Sequence, residues 1–278
     1  MLDRASLKIL LDSELATDRV SDDVTSRLLG EAAHTPAVGL VFAKQAGVFS
    51  GLAVLEAFEM PGLSVEPLVG EGATLEVGAP VARLHGPVVA CLTAERTLLN
   101  LLSHLSGVAT QTRRFVEAVR PHHTKILATR KTLPGLRDLQ LQAVRAGGGH
   151  VHRRSLSDGI LVKDNHLMFI EEAAVVKRAK EMRSPLHRVE VEVQSLEQLD
   201  RLLINPPDII MLDNLPPETM REALRRIGGR SEVEISGGVT LEQVPTLAAL
   251  GVHYISVGRL THSATALDLS MDIRAEAP

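Results

Sequence analysis

Six short apolar runs in this chain each stop at a cluster of reactive polar residues. They are KILATRK (125–131), GILVKDNH (159–166), RVEVEVQ (188–194), DIIMLDN (208–214), EVEISGG (232–238) and YISVGRLTHS (254–263). Each begins with the Ile, Val and Leu content of a buried strand. Helical spacing between them predicts helices at 135–146, 171–182, 195–204, 217–227 and 240–250. Strand-then-helix alternation requires a parallel sheet, and in an α/β barrel all the carboxyl ends of the strands open on one face, where catalytic residues collect. Only six or seven strands fit between residue 109 and about 265, so an open, incomplete α/β barrel is expected rather than a closed ring of eight.

Residues 1–107 do not follow that alternation. MLDRASLKILLDSELATD reads as an amphipathic helix, VGLVFAK (38–44) and LSVEPLVG (63–70) as strands, and GLAVLEAFEM as a helix between them. Short strands with Gly-Pro turns follow at 71–86. A smaller N-terminal α/β domain over 1–107 and a barrel domain over 108–265 are therefore expected. Gly107 is expected to separate two helices near the boundary, and the tail 266–278 to pack back on the first domain. EGATLEVGAPVARL resembles the turn region of biotinyl and lipoyl carriers, but no lysine lies between Lys44 and Lys125 to carry a group. The segment reads as structural.

With 278 residues, 45% hydrophobic and 23% charged, the composition is that of an ordinary globular protein. The net charge of -4 gives no reason to expect nucleic acid or an acidic membrane as partner. Aromatics are 2% and Trp is absent, so base-stacking platforms are not expected. No apolar run approaches the ~18–20 residues of a membrane span. Cys91 is the only cysteine, which fits a reducing, cytoplasmic setting.

The polar ends carry the chemistry. Thr129, Arg130 and Lys131 put two cations beside a hydroxyl: a guanidinium that can grip a carboxylate with two hydrogen bonds, and an ammonium suited to a phosphate. AGGGHVHRR (146–154) offers glycines that allow close approach to a ligand or positive φ, followed by His152 and Arg153. His150 and His152 have the spacing of two metal ligands, but the following arginines favour an anionic, planar substrate. Lys163 in KDNH has two open readings, a Schiff-base nucleophile or a fixed charge holding a carboxylate. Glu190 and Glu192 share one face of their strand. With Asp213, such carboxylates suit sugar hydroxyls or Mg²⁺, while an internal ion pair is the alternative for Glu190. ISGG (235–238) and SVGRLTHS (256–263) end two late strands in small residues and glycine, as barrel phosphate sites do. The remaining histidines read as surface or packing residues. Such a face asks for a substrate with several carboxylates and a phosphorylated sugar.

TRKTLPGLRDLQLQAVRAGGGHVHRRSLSDGILVKDNH, LTAERTLLNLLSHLSGVAT, EVEV, LDN, EISGG and SVGRLTHSATALDLSMDI together resemble the quinolinate phosphoribosyltransferases, nearly end to end and in order. That family has an N-terminal α/β sandwich followed by an open α/β barrel. It joins quinolinate to phosphoribosyl pyrophosphate with Mg²⁺, giving nicotinate mononucleotide, pyrophosphate and CO₂ in NAD biosynthesis. The resemblance implies that Arg130, His152, Arg153 and Lys163 hold the quinolinate carboxylates. Arg96 would reach the site of a neighbouring subunit, which implies a homodimer at least and allows a hexamer. Lys131 would meet the pyrophosphate. Glu192 and Asp213 would bind ribose hydroxyls and organise Mg²⁺ through substrate and water. Ser236, Gly237, Gly238, Val257, Gly258, Arg259 and His262 would form the 5′-phosphate side, with Thr129 and Asn214 also lining the substrate. The catalytic set is then Lys131, Lys163, Glu192 and Asp213.

Four places depart from the family pattern: SDDVTS (21–26) lacks a glycine, Leu133 and Val151 replace polar residues, and Ser155 stands where a glycine is usual. Rival readings are a related phosphoribosyltransferase using nicotinate or serving molybdenum transport, a Schiff-base aldolase working through Lys163, and a non-catalytic binder of phosphorylated ligands.

Overall fold

The computed structural model describes residues 3–276. Residues 1, 2, 277 and 278, which belong to the expected first helix and tail, lie outside the described residues. The strands are β1 (Pro36–Ala43), β2 (Gly47–Val48), β3 (Ser64–Pro67), β4 (Thr74–Leu75), β5 (Pro80–Pro87), β6 (Lys125–Ala128), β7 (His150–Val151), β8 (Ile160–Val162), β9 (Val189–Val193), β10 (Ile209–Asp213), β11 (Glu232–Ser236), β12 (Tyr254–Ser256) and β13 (Leu269–Ala275). The helices are α1 (Arg4–Thr17), α2 (Leu52–Ala57), α3 (Val88–Ala118), α4 (Arg137–Ala146), α5 (Asp164–Leu167), α6 (Glu172–Met182), α7 (Leu196–Leu202), α8 (Pro217–Ile227), α9 (Val244–Ala248) and α10 (Arg259–His262).

Two compact units divide the chain. One holds the chain up to Arg113, Thr132–Gly148 and the chain from Thr261; the other holds Arg114–Lys131 and Gly149–Leu260. The expected linear division at 107 and 108 differs from this grouping, because α4 lies with the first unit although its sequence follows β6.

In the first unit an antiparallel sheet runs β13-β1-β5-β3. β1 alternates buried and part-exposed residues, the period-2 pattern of a strand with one face on a core. The tail does return to this unit: β13 pairs with β1 from Ala37↔Ala275 to Ala43↔Leu269. α1 is capped by Asp3, which accepts from the Ser6 N–H at 2.7 Å, and buries Leu7 and Leu11.

α3 corrects one expectation. It is a single helix of 31 residues that runs through Gly107. A Cβ at Gly107 would lie 2.1 Å from the Thr265 carbonyl oxygen, so the glycine admits a crossing segment and does not end the helix. Of the triple glycine, Gly148 takes the expected positive φ, 90°, whereas Gly147 is fixed by packing. A Cβ at Gly147 would lie 2.4 Å from the Ala109 carbonyl oxygen and 2.6 Å from Thr112 Cβ, so this residue serves helix packing rather than a ligand.

The second unit carries a parallel sheet in the order β7-β6-β12-β11-β10-β9-β8. The six apolar runs are β6, β8, β9, β10, β11 and β12, and the two-residue β7 is the seventh strand. β7 and β8 are the sheet edges, so the barrel is open. The sheet is curled: His152, just after β7, has its ring nitrogen 2.7 Å from Glu190 on β9, although four strands intervene in the sheet order. All five residues of β9 are buried, as expected for a strand covered on both faces. No helix among the described residues is long and apolar enough to cross a membrane.

Candidate active site

The carboxyl ends of the parallel strands carry most of the residues singled out above. Beyond β6, Thr129 Oγ1 accepts from the Lys131 N–H at 3.2 Å, which shapes the turn bearing Arg130 and Lys131. Arg153 follows β7. Burial, and then repulsion from the Arg130 guanidinium, lower the Arg153 pKa. Two guanidinium groups that repel in a half-buried setting describe a place where an anion is favoured.

At the end of β8, Lys163 Nζ donates to Glu192 Oε2 on β9 at 2.7 Å. The Glu192 side chain is only 6% exposed, so the pair is shielded on its acidic side. An ammonium engaged in this ion pair supports the fixed-charge reading of Lys163 over the Schiff-base one. Gln194 Nε2 also reaches Glu192 Oε1, at 3.4 Å.

Asp213 ends β10, and its Oδ2 accepts from Asn214 Nδ2 at 2.7 Å. Asn214 has a φ of 54°, and its N–H donates to the Ser236 carbonyl at 3.0 Å. Gly237 has a φ of 98°, and a Cβ there would lie 2.3 Å from Asn214 Oδ1. Only glycine fits, because both the backbone conformation and the neighbour exclude a side chain. Gly238 also has a positive φ, 58°. The loops after β10 and β11 therefore interlock through backbone. Val257 is buried after β12, its N–H donating to the Leu127 carbonyl at 2.9 Å, and Arg259 opens α10 after Gly258.

His152 points into the barrel instead of standing free at the rim. Its Nε2 lies 2.7 Å from Glu190 Oε2 and 3.5 Å from Glu234 Oε2. Burial by itself lowers the His152 pKa, but the Glu190 hydrogen bond and the charges of Glu234 and Glu190 raise it overall. Glu234 is the functional-looking residue that sequence reasoning missed. Its signal was available: EVE at 232–234 repeats the alternation of VEVEV and puts Glu234 in the strand interior.

Arg96 and His262 belong to the first unit and are not brought into any of these groups by contacts within the second. Arg96, on α3, is 63% exposed and lies 3.6 Å from Glu95. His262 Nδ1 lies 2.6 Å from Ser263 Oγ. The departures are accommodated locally. Leu133 donates its N–H to Gln140 Oε1 at 2.9 Å, and Ser155 Oγ donates to Asp158 Oδ1 at 2.9 Å. Val151 pairs with Ala128 in the sheet, and Asp23 accepts from the N–H groups of Thr25 and Ser26.

Comparison with known proteins covers both halves of the chain. Residues 23–106 match the quinolinate phosphoribosyl transferase N-terminal domain, and residues 108–272 match the C-terminal domain of the same family. The chain is 40% identical over 279 residues to a probable nicotinate-nucleotide pyrophosphorylase (carboxylating) of Bacillus subtilis, covering 98% of this chain and 95% of that protein. It is 43% identical over 249 residues to the nicotinate-nucleotide pyrophosphorylase (carboxylating) of Mycobacterium leprae, covering 87% and 88%. The solved nicotinate-nucleotide pyrophosphorylase from Francisella tularensis superposes with a TM-score of 0.90 at 33% identity, covering 99% of this chain and 98% of that one. The chain belongs to the quinolinate phosphoribosyltransferase family.

Proposed function

We propose that this protein transfers phosphoribosyl from phosphoribosyl pyrophosphate to quinolinate, with loss of CO₂, to give nicotinate mononucleotide and pyrophosphate in NAD biosynthesis. The observation that carries the proposal is the division of one set of strand ends into a cationic part, Arg130, Arg153 and Lys163, and an acidic part, Glu192 and Asp213, with Lys163 and Glu192 in contact at 2.7 Å.

Arg130, His152, Arg153 and Lys163 hold the two carboxylates of quinolinate and fix the pyridine nitrogen as nucleophile. No protein nucleophile is needed, so positioning and charge placement do the chemistry. Departure of pyrophosphate builds positive charge on the ribose, a state akin to that of glycoside cleavage. Glu192 and Asp213 stabilise that charge and hold ribose hydroxyls, while Lys131 meets the leaving pyrophosphate. The backbone at Ser236, Gly237, Gly238, Val257, Gly258 and Arg259, with His262, takes the 5′-phosphate, and Thr129 and Asn214 line the substrate. Once ribosylated, the ring nitrogen is cationic and stabilises the electron pair left on C2 when the 2-carboxylate departs as CO₂; a proton from solvent then takes its place on C2.

Glu192 and Asp213 are hard oxygen donors on neighbouring strands. That donor set suits Mg²⁺, which takes one or two carboxylates and completes its shell with phosphates and water. Bound there, Mg²⁺ would neutralise charge on the pyrophosphate. Arg96 is read as completing the site of a second subunit, in a dimer or a hexamer. Its exposure supports this, as does Leu92, which lies one helical turn away and is 38% exposed. A cytoplasmic setting accords with one buried, unpaired cysteine.

The test is incubation of purified protein with phosphoribosyl pyrophosphate and Mg²⁺ against quinolinate and nicotinate in parallel. Nicotinate mononucleotide from quinolinate alone is expected; turnover of nicotinate without quinolinate overturns the reading. For the shared site, Arg96→Ala and Lys163→Ala proteins, each inactive, should regain activity when their subunits are mixed. No recovery after demonstrated exchange contradicts it.

A further inference from the structure

Inside the barrel four polar side chains meet behind the strand ends. His152 Nε2 contacts Glu190 Oε2 and approaches Glu234 Oε2, and Ser256 Oγ from β12 donates to Glu234 Oε1. The Glu190 side chain is 5% exposed and that of Glu234 1%. Glu190 Oε1 and Glu234 Oε2 are buried without a hydrogen bond, although His152 stands within ion-pair range of the latter. Two carboxylates this deep beside one imidazole cannot all be independent charges. Burial, and then the charge of Glu190, push the Glu234 carboxyl up to about 8, so it keeps its proton at neutral pH. That leaves the two facing acids a single negative charge between them, which His152 as a cation neutralises.

Three such residues also have the composition of a metal site. The geometry favours a proton. Two ligands around a tetrahedral ion with bonds of about 2.0–2.1 Å stand roughly 3.3 Å apart, whereas His152 and Glu190 are 2.7 Å apart.

The remaining charges facing His152 are few. Arg153 follows it in the chain and opposes its protonation, and Arg130 lies beside Arg153. The group lines a cavity of about 380 Å³ together with Arg153, Lys125, Asp158, Arg188 and Tyr254. Lys125, Arg188 and Tyr254 sit at or beside the amino ends of their strands.

We propose that Glu190 and Glu234 are positioning residues that hold His152 as an imidazolium, adding a third fixed cation to Arg130 and Arg153 for a carboxylate of the substrate. The proposal rests on the function argued above, and its test separates the two. The full-length protein, labelled with ¹⁵N-histidine and assigned with His152→Gln, is titrated by NMR. His152 should carry both ring protons at pH 7.5. In Glu234→Gln it should lose its proton at lower pH than in the wild type. In the Glu190→Gln, Glu234→Gln double variant it should be neutral at pH 7.5, because burial then acts unopposed. In assays at pH 7.5 the double variant should raise the quinolinate KM at least tenfold and leave that for phosphoribosyl pyrophosphate within twofold, with partial recovery at pH 6. A neutral His152 in the wild type, an unchanged titration in the variants, or an unchanged quinolinate KM overturns the proposal. Should the double variant not fold, the two single variants are read by the same titration. Should the wild type not turn over quinolinate, the function fails while the titration still decides the charge of His152.

Discussion

The antiparallel sheet of the first unit and the parallel sheet of the second both rest on buried aliphatic residues but are used differently. β1 and β5 put aliphatic residues such as Val41 and Leu84 on the buried face, both 0% exposed, while β1 carries no charged residue and Arg83 on β5 reaches solvent. β9 and β11 instead bury Glu190, Glu192 and Glu234, at 4%, 5% and 0% exposure. Buried carboxylates cost several kcal/mol unless partnered. They persist in the second sheet because each meets a basic or hydroxyl group: His152, Lys163 or Ser256. The first sheet is a packing solution, and the second sacrifices packing for placed charge.

That contrast yields predictions in descending order of effect. Arg153→Ala should lower kcat/KM for quinolinate by about 10²–10³-fold, the scale of removing a charge that touches the reacting ligand. The melting temperature should change little. Steady-state kinetics with a thermal melt checks both, and a small kinetic loss would place the carboxylate site elsewhere. In the first sheet the balance should reverse. Leu84→Ala should cost about 2–5 kcal/mol of stability as a buried cavity and leave the quinolinate KM unchanged, read by denaturant unfolding and kinetics. Gly107→Ala should cost about 1–3 kcal/mol, because the added methyl meets the Thr265 carbonyl backbone and cannot rotate away.

The buried acids also predict a pH dependence that the first sheet lacks. The Glu234 carboxyl is raised from its ordinary value to about 8. A raised pKa contributes stability below the unfolded value, and that contribution is lost as pH rises towards the folded one. Glu234→Gln has no such proton to lose. The melting temperature of the wild type should therefore fall relative to Glu234→Gln between about pH 4.5 and 8, then stay parallel. A constant offset across that range would mean that Glu234 is not buried as a protonated acid. The smallest effect belongs to the surface. Glu66→Ala removes the 2.8 Å pair with Arg83, both about half exposed, and should change stability by less than about 1 kcal/mol.

How much of this was legible in the sequence follows from the length scale of each signal. Six strands could be read because each carries buried Val, Ile or Leu within a short run that ends in polar residues. β7 could not, because two residues, His150 and Val151, carry no periodicity. The helical spacing across α3 was legible, but Gly107 was misread as a break. Its requirement comes from Thr265, more than 150 residues away in the chain. The charged strand ends were legible because reactive residues following an apolar run have few other uses. Glu234 was legible only through the alternation of EVE, which places it inside the strand immediately before ISGG. The contact between His152 and Glu190 depends on sheet curvature, which no local pattern reports.

The account stands on the claim that the parallel strand ends form a site that ribosylates and decarboxylates a pyridine dicarboxylate. The most direct measurement follows label from the 2-carboxylate of quinolinate in a single turnover with phosphoribosyl pyrophosphate and Mg²⁺. One equivalent of labelled CO₂ should appear for each pyrophosphate released by the wild type, and none from Arg153→Ala in the same time. Pyrophosphate release without labelled CO₂, or equal release from Arg153→Ala, would contradict it.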